Sequence, residues 1–168
     1  MAGVSTAEIS EYEDIGFIVL KKRIDPILVR SARDAVAKRA GEARKTMAND
    51  KIHVSIYGAK SWPSECQILF EAVEINSLIG VYQSNKIEGR GPREAVFFTI
   101  PLDENVLESG VNMPGYYKRS YIDGIATDQA REGLKLEEGD VLVSNGGTGM
   151  KNEGEGGTVF MLIKHFWA

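Results

Sequence analysis

The sequence is poor in the residues that most often bind transition metals or cross-link a chain. Its 168 residues include two histidines and one cysteine. The single thiol of Cys66 excludes an internal disulfide and has no CxxC partner. We therefore expect Cys66 to be a buried structural residue and the protein to work in a reducing compartment, the cytoplasm.

Long apolar runs and excess positive charge are also missing. No apolar stretch approaches the roughly 18 residues of a membrane span, and the N-terminus has neither the basic start nor the apolar centre of a signal peptide. Lys and Arg number 20 against 24 Asp and Glu, a net charge of −4. The one dense basic cluster, residues 21–23, follows the apolar run Phe17–Leu20 and indicates a solvated strand end. We expect neither a membrane nor a nucleic-acid partner.

Residues 1–80 carry mainly helical signals. Ser5 and Glu8 have capping-box spacing, and Gly16 can end the helix that they begin. Asp25 and Pro26 are suited to start a second helix that runs to about Met47. Pro63 can start a third, whose apolar set is Ile68, Leu69, Ala72, Val73, Ile75, Leu78 and Ile79.

Residues 81–168 carry mainly strand signals. The strand candidates there are Ala95–Ile100, Val141–Ser144 and Thr158–Trp167, and a short helical turn is expected within 124–134. Earlier in the chain, Phe17–Leu20 is a compact strand candidate and Ile52–Ile56 a weak one. Helices followed by short antiparallel strands indicate an α+β fold whose strands form a sandwich or jelly roll. We expect one domain, residues 1–168.

Several stretches, taken in order, resemble the phytanoyl-CoA dioxygenase family. The matching segments are EYEDIGFIVLKKRIDPILVRSARDAV, VFFTIPLDENVLESGVNMPGYYK and LKLEEGDVLVSN. Members of this family are non-haem Fe(II)/2-oxoglutarate-dependent oxygenases. The resemblance implies a double-stranded β-helix, a cupin-like jelly roll, with N-terminal helices.

The resemblance also implies a set of iron ligands that this sequence does not have. The family holds Fe(II) with an H-x-D pair and a later His, and an Arg grips 2-oxoglutarate. The triad positions are occupied here by Tyr82, Ser84 and Met150, and the Arg position lies near Gly157 and Thr158. The chain's two histidines, His53 and His165, do not fall in the required order. We expect this chain to bind no Fe(II) and no 2-oxoglutarate.

A glycine-rich segment, SNGGTGMKNEGEGG, spans residues 144–157 and contains six glycines. A phosphate-binding loop needs G-x-x-x-x-G-K-[ST] leading into a helix, but Asn152 follows Lys151 and a strand is predicted next. We interpret the segment as the relic of the loop that carries the distal histidine in the family. Because glycine is conformationally free, we expect this loop to be mobile unless a partner orders it.

Two functions remain open. In the first, the chain is a non-catalytic accessory subunit that forms a heterodimer with a catalytic Fe(II)/2-oxoglutarate oxygenase homologue of secondary metabolism, which would hold both cofactors. Its terminal strand is apolar on both faces and must be covered by a second sheet or a partner. In the second, the chain is a cofactor-free isomerase or cyclase acting on an apolar small molecule inside the barrel. The proton-transfer candidates are Tyr82, Tyr116, Tyr117, Lys118 and Asp140.

Overall fold

The computed structural model describes residues 4–46, 62–84, 95–102, 107–110, 113–125, 129–151 and 161–167. The helices are α1 (Thr6–Ile15), α2 (Pro26–Thr46), α3 (Ser64–Glu71), α4 (Val73–Ser84) and α5 (Ser120–Asp123). The strands are β1 (Phe17–Leu20), β2 (Ala95–Pro101), β3 (Leu107–Glu108), β4 (Gly115–Tyr116), β5 (Lys135–Leu136), β6 (Val141–Asn145), β7 (Met150–Lys151) and β8 (Met161–Trp167). The predicted mixture of leading helices and later antiparallel strands is confirmed. In the ranges described, no helix is long and apolar enough to cross a membrane.

The first helix begins and ends where its capping residues predict. The Glu8 amide donates to the Ser5 hydroxyl, and the Ser5 amide donates to the Glu8 carboxylate at 2.8 Å. The Ser5 amide, joined by the Arg23 guanidinium, lowers the pKa of Glu8. Gly16 ends the helix with a left-handed φ of 90°, and its amide donates to the Tyr12 carbonyl. These caps set the direction in which the chain enters β1.

The single helix predicted after Pro63 is wrong, because the structure has two helices that meet at Ala72. Ala72 has an extended ψ of 140°, so α3 ends there without a glycine or a proline. The Asn76 side-chain amide donates to the carbonyl of Glu71 at 2.9 Å, which replaces a helical partner. Ile68, which the sequence analysis placed in the apolar set of this helix, is 53% exposed on α3.

The other short elements agree only in part with the predictions. The helical turn expected within 124–134 lies earlier, at Ser120–Asp123, after Arg119 in a left-handed conformation. In the described part of 124–134 there is no helix. The weak strand predicted at Ile52–Ile56 lies outside the described residues. Cys66 is fully buried as predicted, and burial raises the pKa of its thiol to about 11.

Four strands form the main sheet in the order β1-β6-β2-β8, which places β1 and β8 at its edges. All three pairings are antiparallel. Two short antiparallel pairs, β3–β5 and β4–β7, lie outside this sheet. An antiparallel bridge between Tyr116 of β4 and Glu132 joins the two short pairs. Glu132 lies in the segment that leads directly into β5.

The two faces of the main sheet contribute to two separate clusters of buried side chains. The helix-side core contains Ile18, Leu20, Val96, Phe98, Ile100, Val141 and Val143 from the sheet, with Tyr12, Val29, Ala32, Cys66, Leu69, Phe70, Ile75, Leu78 and Tyr82 from the helices. The strand-side core contains Phe17, Leu107, Met113, Tyr116, Leu134, Leu136 and Leu142. Successive residues of β1 and β6 alternate between the two cores, as the pleat of a strand requires.

Candidate functional site

The described part of the glycine-rich segment, residues 144–151, forms hydrogen bonds with distant parts of the chain. The Asn145 amide and the Thr148 hydroxyl both donate to the Gly16 carbonyl, at 2.8 and 2.9 Å. The Gly149 amide donates to the Ser120 hydroxyl at 2.7 Å. These bonds connect the loop to the end of α1 and to α5, whereas residues 152–157 lie outside the described part, and the expected mobility of the loop stays a prediction.

Two of the glycines in this loop are closely packed. A Cβ on Gly146 would lie 2.9 Å from the Ala95 carbonyl oxygen, and one on Gly149 would overlap the Ile125 side chain. A side chain at Gly146 would force the loop away from β2. At Gly146 the backbone contact favours glycine, which the interpretation as a drifting relic did not foresee, whereas at Gly149 the exposed Ile125 side chain could move aside.

The loop amides are also engaged, so they form no phosphate cradle. The Gly146 amide donates to the Ala95 carbonyl, the Gly147 amide to Asn145 Oδ1 and the Thr148 amide to the Asn145 carbonyl. A phosphate-binding loop needs several free amides that point inwards and a helix after the loop. Here β7 follows, and the phosphate-loop interpretation fails.

The structure does not bring together the residues predicted to occupy the metal positions. Tyr82 lies on the last turn of α4 in the helix-side core, with its ring 5.0 Å from that of Tyr12 and 6.4 Å from that of Phe98. Met150 lies on β7 and is exposed, opposite Tyr116 of the strand-side core. Tyr82 and Met150 are thus on different sides of the main sheet.

Of the other predicted positions, those of the metal ligand at residue 84 and of the 2-oxoglutarate arginine, the structure describes only the first. Ser84 is the last residue of α4, whereas Gly157 and Thr158 lie outside the described residues. The assignment of Tyr82, Ser84 and Met150 to the triad positions stays a prediction.

The proton-transfer candidates are also divided between the two faces. Tyr116 and Tyr82 are both buried, and burial raises the pKa of each phenol, that of Tyr82 to about 12. A hydrogen bond with Ser144 partly offsets the effect of burial on Tyr116. Tyr117 is half-buried, and exposed Lys118 forms an ion pair with Glu132 at 2.5 Å. Tyr116 therefore lies in the strand-side core, with Tyr117 and Lys118 next to it in the chain, whereas Tyr82 lies in the helix-side core.

Asp140 is a structural residue of a tight turn. Its fully buried carboxylate accepts from the Lys22 amide at 3.0 Å, from the Glu137 amide at 2.9 Å and from the Lys21 ammonium at 2.8 Å. These bonds hold residues 137–140 against the end of β1. All of its oxygens face donors, so Asp140 is not poised to move a proton.

The donors that the structure describes do not fit a two-His-one-carboxylate iron site. Across the described ranges, no three His, Cys, Asp or Glu residues converge. His165 lies on β8 opposite Phe97, and His53 lies outside the described residues. The chemistry of a facial triad needs two imidazoles beside one carboxylate.

A cleft of about 430 Å³ runs along the outer edge of β1. Its walls come from α1, with Glu8 and Glu11, and from the segment before β5, with Glu132 and Leu134. The cleft was not predicted from the sequence. A four-residue strand directly after a capped helix was the available signal, but strand order within a sheet depends on pairing that the local sequence does not show.

Comparison with solved structures shows the same fold elsewhere. AviO1 from Streptomyces viridochromogenes Tue57 superposes with a TM-score of 0.67 at 12% identity, covering 98% of this chain and 96% of AviO1. SnoK, a non-heme alpha-ketoglutarate-dependent carbocyclase from nogalamycin biosynthesis, gives 0.62 at 12% identity, covering 95% and 82%. HygX from Streptomyces hygroscopicus, solved with nickel and 2-oxoglutarate, gives 0.62 at 10% identity, covering 97% and 86%.

Sequence comparison adds no relative, because neither a protein family nor a curated protein matches the chain. The likeness is therefore one of structure, and it extends over nearly the whole chain. This protein has the fold of a group of proteins that includes non-heme 2-oxoglutarate-dependent enzymes.

Proposed function

We propose that this chain is a non-catalytic accessory subunit on a double-stranded β-helix of the phytanoyl-CoA dioxygenase type. It pairs in the cytoplasm with a catalytic Fe(II)/2-oxoglutarate oxygenase homologue, and the two act in the oxidation of a small secondary metabolite. Fe(II) and 2-oxoglutarate belong to the partner subunit in this proposal.

The observation that carries the proposal is a whole fold without a matching donor set. The likeness to AviO1 covers 98% of the chain, and both faces of the main sheet are packed. Yet the chain has two histidines, and the described residues offer no converging metal donors. A fold that keeps its core without these donors serves a purpose other than holding iron, such as binding a relative.

Packing between the sheets favours the accessory function over a cofactor-free isomerase. The Phe17 and Tyr116 rings lie 5.3 Å apart, and Leu107, Leu136 and Leu142 are fully buried beside them. In the described part of the chain, Tyr116 is thus packed among apolar side chains. The phenols of Tyr82 and Tyr116, on opposite faces of the sheet, cannot act on one substrate.

The metabolic setting is supported by the neighbours. SnoK and the epimerase SnoN both come from nogalamycin biosynthesis, and both are alpha-ketoglutarate-dependent. HygX has been solved with the small molecule hygromycin B bound. A relative that assists such an enzyme would act in a similar pathway.

The edge strand β8 supports a protein partner. It lies at the end of the main sheet and, within the described part of the chain, pairs only with β2. Its sequence places Met161, Ile163 and Trp167 at alternating positions, with Leu162 and Phe166 between them. An edge of this composition is stable only when it is covered.

Co-expression with the nearest homologue that keeps the full H-x-D and His set, encoded in the same genome, tests the proposal. We expect a stable complex on size-exclusion chromatography with light scattering. Substrate oxidation by the partner should rise with added chain and saturate at a fixed ratio. A partner that is equally active alone, and that does not co-purify with the chain, would refute the accessory function.

A further inference from the structure

Among the residues that the structure describes, no strand pairs with the outer edge of β1, which lies along a cleft. The sheet order places β1 at the end of the main sheet, with β6 on one side and the cleft on the other. The cleft contacts Phe17 and Val19, whose side chains face the strand-side core, and also Ile18, whose side chain faces the helix side. A cleft that touches residues of both faces follows the edge of the sheet.

The hydrogen-bond pattern shows which backbone groups face this cleft. The Asn145 amide donates to the Gly16 carbonyl, so Gly16 and Asn145 form a hydrogen-bonded antiparallel pair. In such a ladder every second residue is bonded to the same neighbour, so Ile18 and Leu20 also bond to β6. The N–H and C=O groups of Phe17 and Val19 therefore point outwards, into the cleft.

The two walls of the cleft differ in chemistry. On the helix side, α1 contributes Glu8, which Arg23 neutralises, and exposed Glu11, which has no cationic partner among the residues described. On the strand side, Ile15 and Leu134 present apolar surface. The other charged groups that line the cleft, Lys21 and Glu132, form ion pairs with Asp140 and Lys118. A strand added beside β1 would alternate its side chains between these walls.

We propose that the outer edge of β1 binds an extended segment of a partner protein by strand addition, as a fifth strand of the main sheet. The bound segment carries apolar residues toward Ile15 and Leu134, and basic residues toward Glu11. Outward backbone groups of Phe17 and Val19 bind its main chain, as in other cases of strand addition. The inference does not depend on the proposed function, because it rests on the geometry of β1 alone.

Val19→Pro is the central variant. Proline at this position removes one outward N–H, and proline is accepted at an edge strand when that N–H faces away from the sheet. Val19→Thr, of similar shape, keeps the N–H and serves as the matched control. Ile18→Pro is the opposite control, because it removes an N–H that bonds to β6 and should destabilise the fold.

A fluorescein-labelled peptide of alternating valine and lysine is the probe, with binding measured by fluorescence anisotropy on the full chain. We expect saturable binding to the natural chain and to Val19→Thr. Val19→Pro should bind about tenfold more weakly, the loss expected from one or two backbone hydrogen bonds. Replacing Glu11 by Gln should weaken binding about threefold and reduce its salt dependence, as for an exposed ion pair.

A second peptide keeps the test decisive if Val19→Pro does not fold. It has the same sequence with alternate amides N-methylated, which removes the main-chain donors and leaves the side chains. We expect it to bind the natural chain about tenfold more weakly. Equal binding of the two peptides, or no binding of the first to the natural chain, would overturn the proposal.

Self-association is the competing use of this edge. If the natural chain is a dimer in solution and Val19→Pro makes it monomeric, a second copy of the chain occupies the edge. That result also overturns the proposal of a partner segment. A monomeric natural chain that binds the valine–lysine peptide supports it.

Discussion

The helix-side core and the strand-side core cover opposite faces of one sheet with elements of different kinds. On one face, α1 to α4 present long, regular apolar surfaces to Phe98 and its neighbours. On the other face, strand pairs of two residues each enclose Phe17, Tyr116 and Leu142. Both cores contain fully buried side chains, although the elements that cover the strand-side core are much shorter. Burial on this sheet, in the described part of the chain, therefore does not require long covering elements.

The largest expected effect compares one leucine from each core. Leu20→Ala and Leu142→Ala each remove a fully buried side chain from neighbouring strands of the main sheet. If both cores are equally packed, each change should cost about 2–5 kcal/mol of unfolding free energy. Urea unfolding followed by circular dichroism measures both. A small loss for Leu142→Ala beside a full loss for Leu20→Ala would show that the strand-side core is a cavity.

A somewhat smaller effect is expected at the contact between Gly16 and the glycine-rich loop. In Gly16→Ala, the new Cβ would lie 2.5 Å from Tyr121 Cδ1 and 2.7 Å from Thr148 Oγ1, at a φ of +90°. The left-handed backbone alone should cost about 1–2 kcal/mol, and the overlap adds to it. Gly41→Ala is the matched control, since its Cβ meets nothing within 4 Å in α2. That control should stabilise the chain by up to about 1 kcal/mol in thermal or urea unfolding. Equal effects for the two variants would contradict the contact.

The two tyrosines that meet edge to face in the helix-side core, Tyr12 and Tyr82, should respond in opposite directions to the loss of a hydroxyl. The Tyr82 hydroxyl is buried without a hydrogen-bond partner in the described residues, whereas the Tyr12 hydroxyl bonds to Asn145. Tyr82→Phe should raise the unfolding free energy by about 1 kcal/mol, because an unsatisfied buried hydroxyl is removed. Tyr12→Phe should lower it by about 0.5–1.5 kcal/mol. Destabilisation by Tyr82→Phe would point to a partner for that hydroxyl and reopen a functional role.

The smallest effect is expected in alkaline solution. Burial raises the pKa of Tyr82 from its ordinary value of 10 to about 12 in the folded chain. Below pH 10 the phenol is neutral in both states, and its contribution to stability is complete. Above pH 10 the unfolded chain loses this proton first, so stability falls as pH rises toward 12. Tyr82→Phe should make the fall shallower without removing it, because burial also raises the pKa of Tyr12 and Tyr116. An unchanged pH profile in Tyr82→Phe would contradict the shift.

Local signals predicted the elements that depend on local chemistry. The capping box at Ser5, the left-handed Gly16 and the apolar run of β1 are decided within a few residues, and the structure has each of them. The break at Ala72 was missed because it has no glycine or proline and depends on a side-chain bond from Asn76.

Features that depend on distant contacts could not be derived in this way. Thr148 bonds to Gly16, 132 positions away in the chain, and the composition of the glycine-rich segment does not reveal this contact. The placement of Tyr82 and Tyr116 on opposite faces likewise required the pairing order of β1, β6 and β2. The cleft beside β1 has the same origin, since an open edge exists only relative to a whole sheet.

The most direct test of the account is an anaerobic titration of the purified chain with Fe(II) and 2-oxoglutarate. Bound iron would be measured after desalting, and succinate formation after oxygen is admitted. The account predicts no stoichiometric iron and no succinate from this chain alone. One ferrous ion retained per chain, together with succinate formation, would contradict it.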